Sequence, residues 1–559
     1  MKFITPEQKQ ETMRCYDRAR QAGLDVPNLT IEMMVSNKEF VEMRAKGMIP
    51  TLYDHWLQDV EVYRGLKEYE IFQHNPFECV INAKPHYSFY NETNAEWLNT
   101  LIYYHVAAHI DFFRNNVNFA HTWNTNFMGK SEADSELITK YREEHGRWAD
   151  YAIEFAISAE NLCSSFIPRE KKSDLPPKVE YLFHQFLQLP DKPREKIDEY
   201  LALYNSNPNE LFLISTVNIE FPEFEAFYEK NKKAKPERND DVLQFVLDHS
   251  KHLKNNDNAW IRDIISIIRD TSLYFQPQQR TKIMNEGWAS KHHEELTISD
   301  DTIHQHQVGI GLINSSVMAM PRVGLNPYAL GKALYDHIEE KMNRGGYSEE
   351  YQKLSSMHEK EMFNQHTGKG RQFLFFVRKH YSDFTFLNEF IDQEFVNKHN
   401  LAVIGERYNR AAGVKEYYIK SRNSEDYKKD VLDKLYHPPH ITASTGVNNS
   451  AGNGSDTEQK NDRHNGTLFL EHHFERKELY QEAIPNALIG LEFLWGDKVV
   501  LRTTEFTEEY RDLVEHIRTG KIQKSDIEED IEEIEPELEQ VVYVCKNKKV
   551  KREVLTPQG

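Results

Sequence analysis

Residues 97–116 read WLNTLIYYHVAAHIDFFRNN, and this stretch predicts the helical architecture around which the chain is built. Apolar residues such as Leu101 and Phe112 recur every three or four positions, as expected for an amphipathic helix. His105 and His109 fall on the same apolar face, one turn apart. Two neutral imidazoles in this arrangement can bind one metal ion, as they do in helical zinc sites. The alternative interpretation is a pair of core histidines that are satisfied by hydrogen bonds.

A second segment, residues 277–296, reads PQQRTKIMNEGWASKHHEEL and supplies further candidate ligands. Glu286 lies in a largely apolar context, and His293 follows seven residues later on the same helical face. A carboxylate in such a place must be paired, metal-bound or protonated. We therefore predict Glu286 as a third metal ligand beside His105 and His109. The alternative is a buried ion pair with one of three arginines, Arg262, Arg269 or Arg280.

The HVAAH segment differs from the HExxH motif of metalloproteases at the position of the general base. Val106 stands where those enzymes place a glutamate, so this helix alone does not encode their mechanism. An acid or base would have to come from another position. We predict His293 or Glu294 for this role.

Composition excludes several classes of protein. The chain has 559 residues, of which 39% are hydrophobic and 28% charged, as in a globular protein long enough for more than one domain. A net charge of −20 disfavours nucleic-acid binding. Four widely spaced cysteines without a CxxC pair argue against a disulfide framework. Without a signal peptide or an apolar run long enough for a membrane span, the expected location is cytoplasmic.

The pattern of residues predicts an α+β fold with two domains. Residues 1–400 form a large, mainly helical domain that contains the HxxxH and NEGWA helices. Residues 401–559 form a smaller β-rich domain, because LAVIGERY, KEYYIKS, GTLFLEHHF and DKVVLRTT have the composition of strands. The polar segment at about 444–465 predicts a disordered loop. The acidic segment at about 525–540 predicts a solvated helix or tail.

Several segments together resemble the stage V sporulation protein R (SpoVR) family. They are HVAAHIDFFRNN, WIRDIISIIRDTSLYFQPQQRTKIMNEGWASKHH, VMAMPRVGLNPYALG and FLFFVRKHYSDFTFLNEFI, in the order of the family. NEGWA also resembles the NEGFA segment that carries the glutamate ligand of gluzincin-type peptidases. We predict that Asn285 and Asn116, both within these segments, bind the substrate; the alternative for Asn285 is a residue of a helix terminus.

The candidate ligands and the resemblance together suggest two alternative functions. The first is a zinc-dependent, or other divalent-metal-dependent, hydrolase or transferase that acts on amide bonds, with peptidoglycan peptide or its precursors as substrate. This function would connect the chain with spore cortex, cell wall or stress physiology. The second is a non-enzymatic scaffold or regulator that works with a serine kinase and a von Willebrand-type partner, both encoded with members of the family.

Overall fold

The α+β fold predicted from the sequence is confirmed in the computed structural model, in which helices predominate. The structure describes residues 1–71, 77–122, 125–163, 176–187, 196, 200, 203–204, 209–231, 240–409, 414–445, 466–518 and 536–555. Within these residues, no helix is long and apolar enough to cross a membrane.

A four-stranded sheet lies in the N-terminal part of the chain. Its strands are β1 (Lys2–Phe3), β2 (Thr30–Val35), β3 (Glu78–Ile81) and β4 (His86–Asn91). Their order is β1-β2-β4-β3, with β2 and β4 parallel and the other neighbours antiparallel. The sheet brings β3 beside the helical core, and with it a carboxylate, Glu78, that becomes important below.

Helices make up most of the chain before residue 400. Up to residue 231 they are α1 (Pro6–Gln21), α2 (Asn37–Ala45), α3 (Trp56–Ile71), α4 (Glu96–Asn115), α5 (Phe127–His145), α6 (Arg147–Ile157), α7 (Pro177–Tyr181), α8 (Glu210–Glu220) and α9 (Phe224–Asn231). They are followed by α10 (Val242–His249), α11 (Ala259–Arg280), α12 (Lys282–Ile298), α13 (Gln307–Val317), α14 (Pro327–Arg344), α15 (Glu349–Gln352), α16 (Met357–Met362), α17 (Gly370–His380), α18 (Asp383–Phe390) and α19 (Gln393–Lys398).

Two glycines allow α12 and α14 to cross in very close contact. A Cβ atom on Gly287 would lie 2.3 Å from the carbonyl carbon of Gly331, and one on Gly331 would lie 2.1 Å from the carbonyl oxygen of Ile283. Such distances exclude any side chain at either position without a shift of the backbone. The glycine of NEGWA therefore sets the depth at which Glu286 sits in the fold.

The C-terminal part contains the remaining strands. They are β5 (Val403–Asn409), β6 (Val414–Ser421), β7 (Ile441–Ser444), β8 (Leu468–His472), β9 (Val499–Phe506), β10 (Leu538–Lys546) and β11 (Lys549–Leu555). Strands β5 and β6 form a hairpin, and the others form a sheet in the order β11-β10-β9-β8-β7. Among the residues that the structure describes there, three helices accompany them, α20 (Ser424–Asp433), α21 (Ile484–Trp495) and α22 (Glu508–Arg518).

One hydrophobic core joins residues from both sides of position 400. Ala149 and Ile153 of α6 belong to the same buried cluster as Leu470 of β8 and Leu488 of α21. The domain boundary at residue 400 stays a prediction. The predicted loop lies mostly outside the described residues, although Ser444 ends β7. The predicted acidic segment also lies mostly outside them, and β10 begins within its range at Leu538.

Candidate metal centre

Two helices and one strand bring four ligand-type side chains together. Helix α4 supplies His105 and His109, whose rings lie 4.5 Å apart between centroids. Oε2 of Glu286, from α12, lies 3.8 Å from Nε2 of His105 and 3.6 Å from Nε2 of His109. Oε1 of Glu78, from β3, lies 3.8 Å from Nε2 of His105. Ligand atoms of Glu78, His105 and His109 lie within 4.8 Å of one another, which is a geometry able to hold a metal ion.

Hydrogen bonds on the outer side of the cluster determine the tautomer of His105. Nε2 of His293 lies 3.1 Å from Oδ1 of Asn314, an acceptor, so this nitrogen carries a proton. In the neutral ring, Nδ1 of His293 is then an acceptor, and Nδ1 of His105 donates to it at 2.8 Å. In its neutral form, the His105 ring therefore has its lone pair on Nε2, which faces the carboxylates.

His109 is held in the same tautomer by a different partner. Its Nδ1 donates to Oδ1 of Asn285 at 2.9 Å, which leaves the lone pair on Nε2. Metal-bound histidines are usually oriented in this way, by a hydrogen bond from the second ring nitrogen. Both imidazoles of the HxxxH pair thus present Nε2 lone pairs to Glu286.

Oε2 of Glu286 is buried without a hydrogen-bond partner in the described structure. The Glu286 side chain is 17% exposed and that of Glu78 16%, whereas those of His105 and His109 are 6% and 8% exposed. The carboxylates thus form the more accessible side of the cluster. An orphaned carboxylate oxygen opposite two nitrogen lone pairs has the chemistry of a cation site, and the donor set fits a divalent metal.

Burial and the mutual charges of the histidines and carboxylates shift the pKa values in the cluster. Burial lowers the pKa of His109 to about 4. Burial also lowers the pKa of His105, but the carboxylates of Glu286 and Glu78 outweigh it and raise that pKa. Burial raises the pKa of Glu286, but the two histidines outweigh it and keep the pKa below its usual value.

Tyr328 is a further member of the cluster. Its ring stacks over that of His105, with the centroids 6.2 Å apart. The charge of Glu286, followed by burial, raises the pKa of the Tyr328 hydroxyl well above its usual value. Asn326 caps α14 through the backbone N–H of Tyr328 and fixes the start of this helix, as the sequence predicts for Asn326-Pro327. The hydroxyl therefore stays protonated beside the carboxylates.

The remaining residues predicted from the sequence have different positions. His293 and Asn285 contact the two histidines directly. Glu294 instead pairs with Lys332 at 2.8 Å. The side chain of Asn116 bonds to the backbone: Nδ2 donates to the carbonyls of Arg378 and Tyr381, and Oδ1 accepts from the N–H of Asn118. The roles assigned to these residues stay predictions.

Arg269, one of the three arginines considered as partners for Glu286, bonds instead to Asp241 at 2.9 Å. The neighbours that the structure gives to Glu286 are histidines and a tyrosine. This arrangement differs from the buried carboxylate–arginine pair that the sequence left open.

Sequence reasoning missed Glu78, Tyr328 and Asn314. Glu78 has a detectable signal, because it is a charged residue inside the apolar run FECVI of a strand. Tyr328 follows Asn326 and Pro327 at the start of a helix, and this pattern indicates a helix cap but no role for the tyrosine. Asn314 lies on α13, whose sequence gives no sign that its amide would contact His293.

Comparisons with known proteins place the chain in a family. Residues 5–439 match the sequence model of a family described as SpoVR like protein. The uncharacterized protein YcgB of Escherichia coli (strain K12) is 26% identical over 336 residues, which are 57% of this chain. The chain spans 61% of the length of that relative. No solved structure is significantly similar to the chain.

Proposed function

The chain belongs to the SpoVR family, and from its histidine–carboxylate cluster we propose a divalent-metal-dependent enzyme that hydrolyses or transfers amide bonds. The observation that carries this proposal is the convergence of two Nε2 lone pairs on the unpartnered Oε2 of Glu286. His105, His109 and Glu286 would hold the metal, since this carboxylate oxygen lies within 3.8 Å of both imidazole nitrogens. Two histidines and a glutamate are a known ligand set of catalytic zinc, which makes zinc the proposed ion.

The two other polar groups of the cluster suit the chemistry of amide cleavage. A divalent ion supplies Lewis-acid polarisation of a carbonyl group. Glu78, near His105 on the accessible side, takes the role of the base that Val106 lacks, by accepting a proton from the attacking nucleophile and returning it to the leaving amine. The neutral hydroxyl of Tyr328 donates a hydrogen bond to the oxygen on which negative charge develops. His293, whose two nitrogens are both engaged, orients His105.

The substrate class proposed for this site is peptidoglycan peptide or its precursors. Support for it comes from the resemblance of the chain to a family associated with the spore cortex, and from an accessible carboxylate side that can receive an amide. A serine kinase and a von Willebrand-type protein are the proposed partners, on the same resemblance.

A test separates the proposed base from the proposed ligands. The purified chain would be loaded with zinc and incubated with a mixture of peptidoglycan stem peptides, and the release of new amino groups would be measured. We expect release by the wild type, loss of release with a chelator, and a decrease of about 10²-fold or more in Glu78→Gln with the metal retained. Glu96→Gln, at an exposed position in the first turn of α4, is the control and should retain activity.

Two outcomes would overturn the proposal. Release of amino groups that is insensitive to the chelator would remove the metal from the reaction. A Glu78→Gln variant as active as Glu96→Gln would remove Glu78 from it.

A further inference from the structure

A cavity of about 320 Å³ opens on the C-terminal sheet and shares no lining residue with the metal centre. Strands β7, β8 and β9, helix α21 and the chain that follows α6 form its walls. This volume lies at the lower end of the range of small-molecule sites. The cavity lies where the part of the chain that matches the family meets the C-terminal sheet.

The floor of the cavity is aliphatic. It consists of side chains that are themselves nearly inaccessible to solvent and belong to the shared hydrophobic core: Ile441, Leu470, Ile484, Leu488, Leu491 and Leu501. Apolar surface that faces an open cavity lacks the packing contacts it would have in a filled core. An occupant with an aliphatic body would supply those contacts.

One polar group, His472, lines the cavity while being only 8% exposed. Its Nδ1 lies 2.9 Å from the hydroxyl of Thr503, which in turn donates to the carbonyl of Thr504 at 3.4 Å. The hydroxyl therefore accepts from Nδ1–H of His472, and the lone pair of this imidazole lies on Nε2. Burial lowers the pKa of His472, so that the ring is neutral at pH 7. A neutral ring of this tautomer accepts a hydrogen bond from a ligand through Nε2.

The rim of the cavity carries charged groups of both signs, namely Glu475, Glu478 and Lys477. Nε2 of His437 lies 2.7 Å from Oε2 of Glu475, and the rings of His440 and His473 pack with centroids 4.4 Å apart. The hydrogen bond from His437 keeps the pKa of Glu475 below its usual value, so this carboxylate is ionised at pH 7. Beside His472, an anionic head would meet a hydrogen-bond acceptor, Nε2, inside the cavity.

We propose that this cavity binds a small aliphatic molecule whose head group is a hydrogen-bond donor, such as an alcohol or a primary amine. The aliphatic body would lie against α21 and the sheet, and the donor would bond to Nε2 of His472. The site is independent of the proposed metal centre.

The test compares three eight-carbon probes, 1-octanol, octylamine and octanoate. Ligand-observed NMR measures the equilibrium binding of each probe to the full-length protein. We expect saturable binding of 1-octanol or octylamine and binding of octanoate that is about tenfold weaker or undetectable. Tighter binding of 1-octanol would indicate a ligand with a neutral head group, and tighter binding of octylamine a ligand with a cationic one.

Two variants locate the binding. Ala487→Phe places a ring in the cavity and should abolish saturable binding, whereas His472→Phe should weaken the binding of octanol about tenfold and remove its advantage over octanoate. Melting curves verify that each variant is folded, and His109→Ala should bind the probes as the wild type does. Octanoate bound as tightly as octanol, no saturable binding of any probe, or unchanged binding by a folded Ala487→Phe would each overturn the proposal.

Discussion

Single hydrogen bonds decide which nitrogen of each histidine is free in the metal centre. Oδ1 of Asn285 accepts a hydrogen bond from Nδ1 of His109, and Nδ1 of His293 accepts one from Nδ1 of His105. Both partners follow from the fold, since His293 and Asn285 are two turns apart on α12, opposite the HxxxH pair of α4. The result is a cluster in which Oε2 of Glu286 faces the Nε2 atoms of both histidines.

Glu286→Gln tests the role of this carboxylate. Oε2 of Glu286 faces histidines, so removing its charge leaves no buried arginine without a partner. The variant should therefore melt within about 5 °C of the wild type. Its metal content should fall at least about tenfold, because a neutral amide is a poor ligand. Elemental analysis and thermal melting check the two expectations, with the exposed Glu96→Gln as control. A variant that is strongly destabilised, or that keeps its metal, would contradict the assignment.

His86 makes stability depend on pH independently of the metal centre. It is 2% exposed in β4, and burial lowers its pKa to about 4. The unfolded chain has a histidine pKa of about 6.5, so the unfolded state binds more protons below that pH. The contribution of neutral His86 is therefore present above pH 6.5 and is lost as the pH falls towards 4.

The His86→Gln variant isolates this effect. The difference in unfolding free energy between wild type and variant should change by up to about 3 kcal/mol from pH 7 to pH 4, to the disadvantage of the wild type. Urea unfolding at several pH values measures it, and His304→Gln at an exposed position is the control. Parallel pH profiles for wild type and His86→Gln would show that the prediction is wrong.

At the level of elements, the crossing of α12 and α14 determines how Glu286 meets Tyr328. Gly287 and Gly331 touch backbone to backbone, so a methyl group at either position forces the helices apart. Gly287→Ala or Gly331→Ala should cost about 2–3 kcal/mol of unfolding free energy and weaken metal binding. Denaturant unfolding checks the first expectation, and metal titration the second.

Gly311→Ala is the matched control for the helix crossing. Gly311 lies in α13, and a Cβ atom there would meet nothing within 4 Å. Alanine is a better helix former, so this variant should gain up to about 1 kcal/mol. If Gly311→Ala and Gly287→Ala changed the unfolding free energy equally, the close contact between α12 and α14 would not be the reason for a glycine at position 287.

The sequence predicted those elements whose signal is local. The apolar stripe of α4, the Asn326 cap of α14 and the strands β5, β6, β8 and β9 all follow from periodicity or cap residues. It did not reveal β1 and β2 or the β10–β11 hairpin, because their residues find partners only in the tertiary fold. The place of Glu78 in the cluster was missed for the same reason, since β3 reaches the histidines only through the pairing of the sheet.

At the scale of the whole molecule, the shared core makes the two predicted domains depend on each other. Ala149 and Ile153 of α6 are fully buried within the cluster that contains α21 and the C-terminal sheet. A chain truncated after residue 400 would expose this face. We expect it to be insoluble or to melt about 10 °C or more below the full chain. A truncated chain that melts as the full chain does would show that the domains are independent.

In contrast to the C-terminal truncation, shortening the segment between β7 and β8 should have little effect on stability. These strands pair directly, from Ile441 with His472 to Ser444 with Phe469. Replacing residues 446–465 by a short Gly-Ser linker keeps this pairing, and loop length affects stability only logarithmically. The melting temperature should therefore change by less than about 3 °C. A large decrease on thermal melting would show that the segment contributes to the packed fold.

The most direct test of the proposed metal centre is the metal content of the full chain, measured by elemental analysis after purification without added metal and again after titration with zinc. We predict about one divalent ion per chain in the wild type, and its loss in both His105→Ala and His109→Ala, because the remaining ligands would no longer hold it. His304→Ala, at an exposed position, should keep the metal. A wild-type protein that is folded, free of metal and unable to bind zinc on titration would contradict the account.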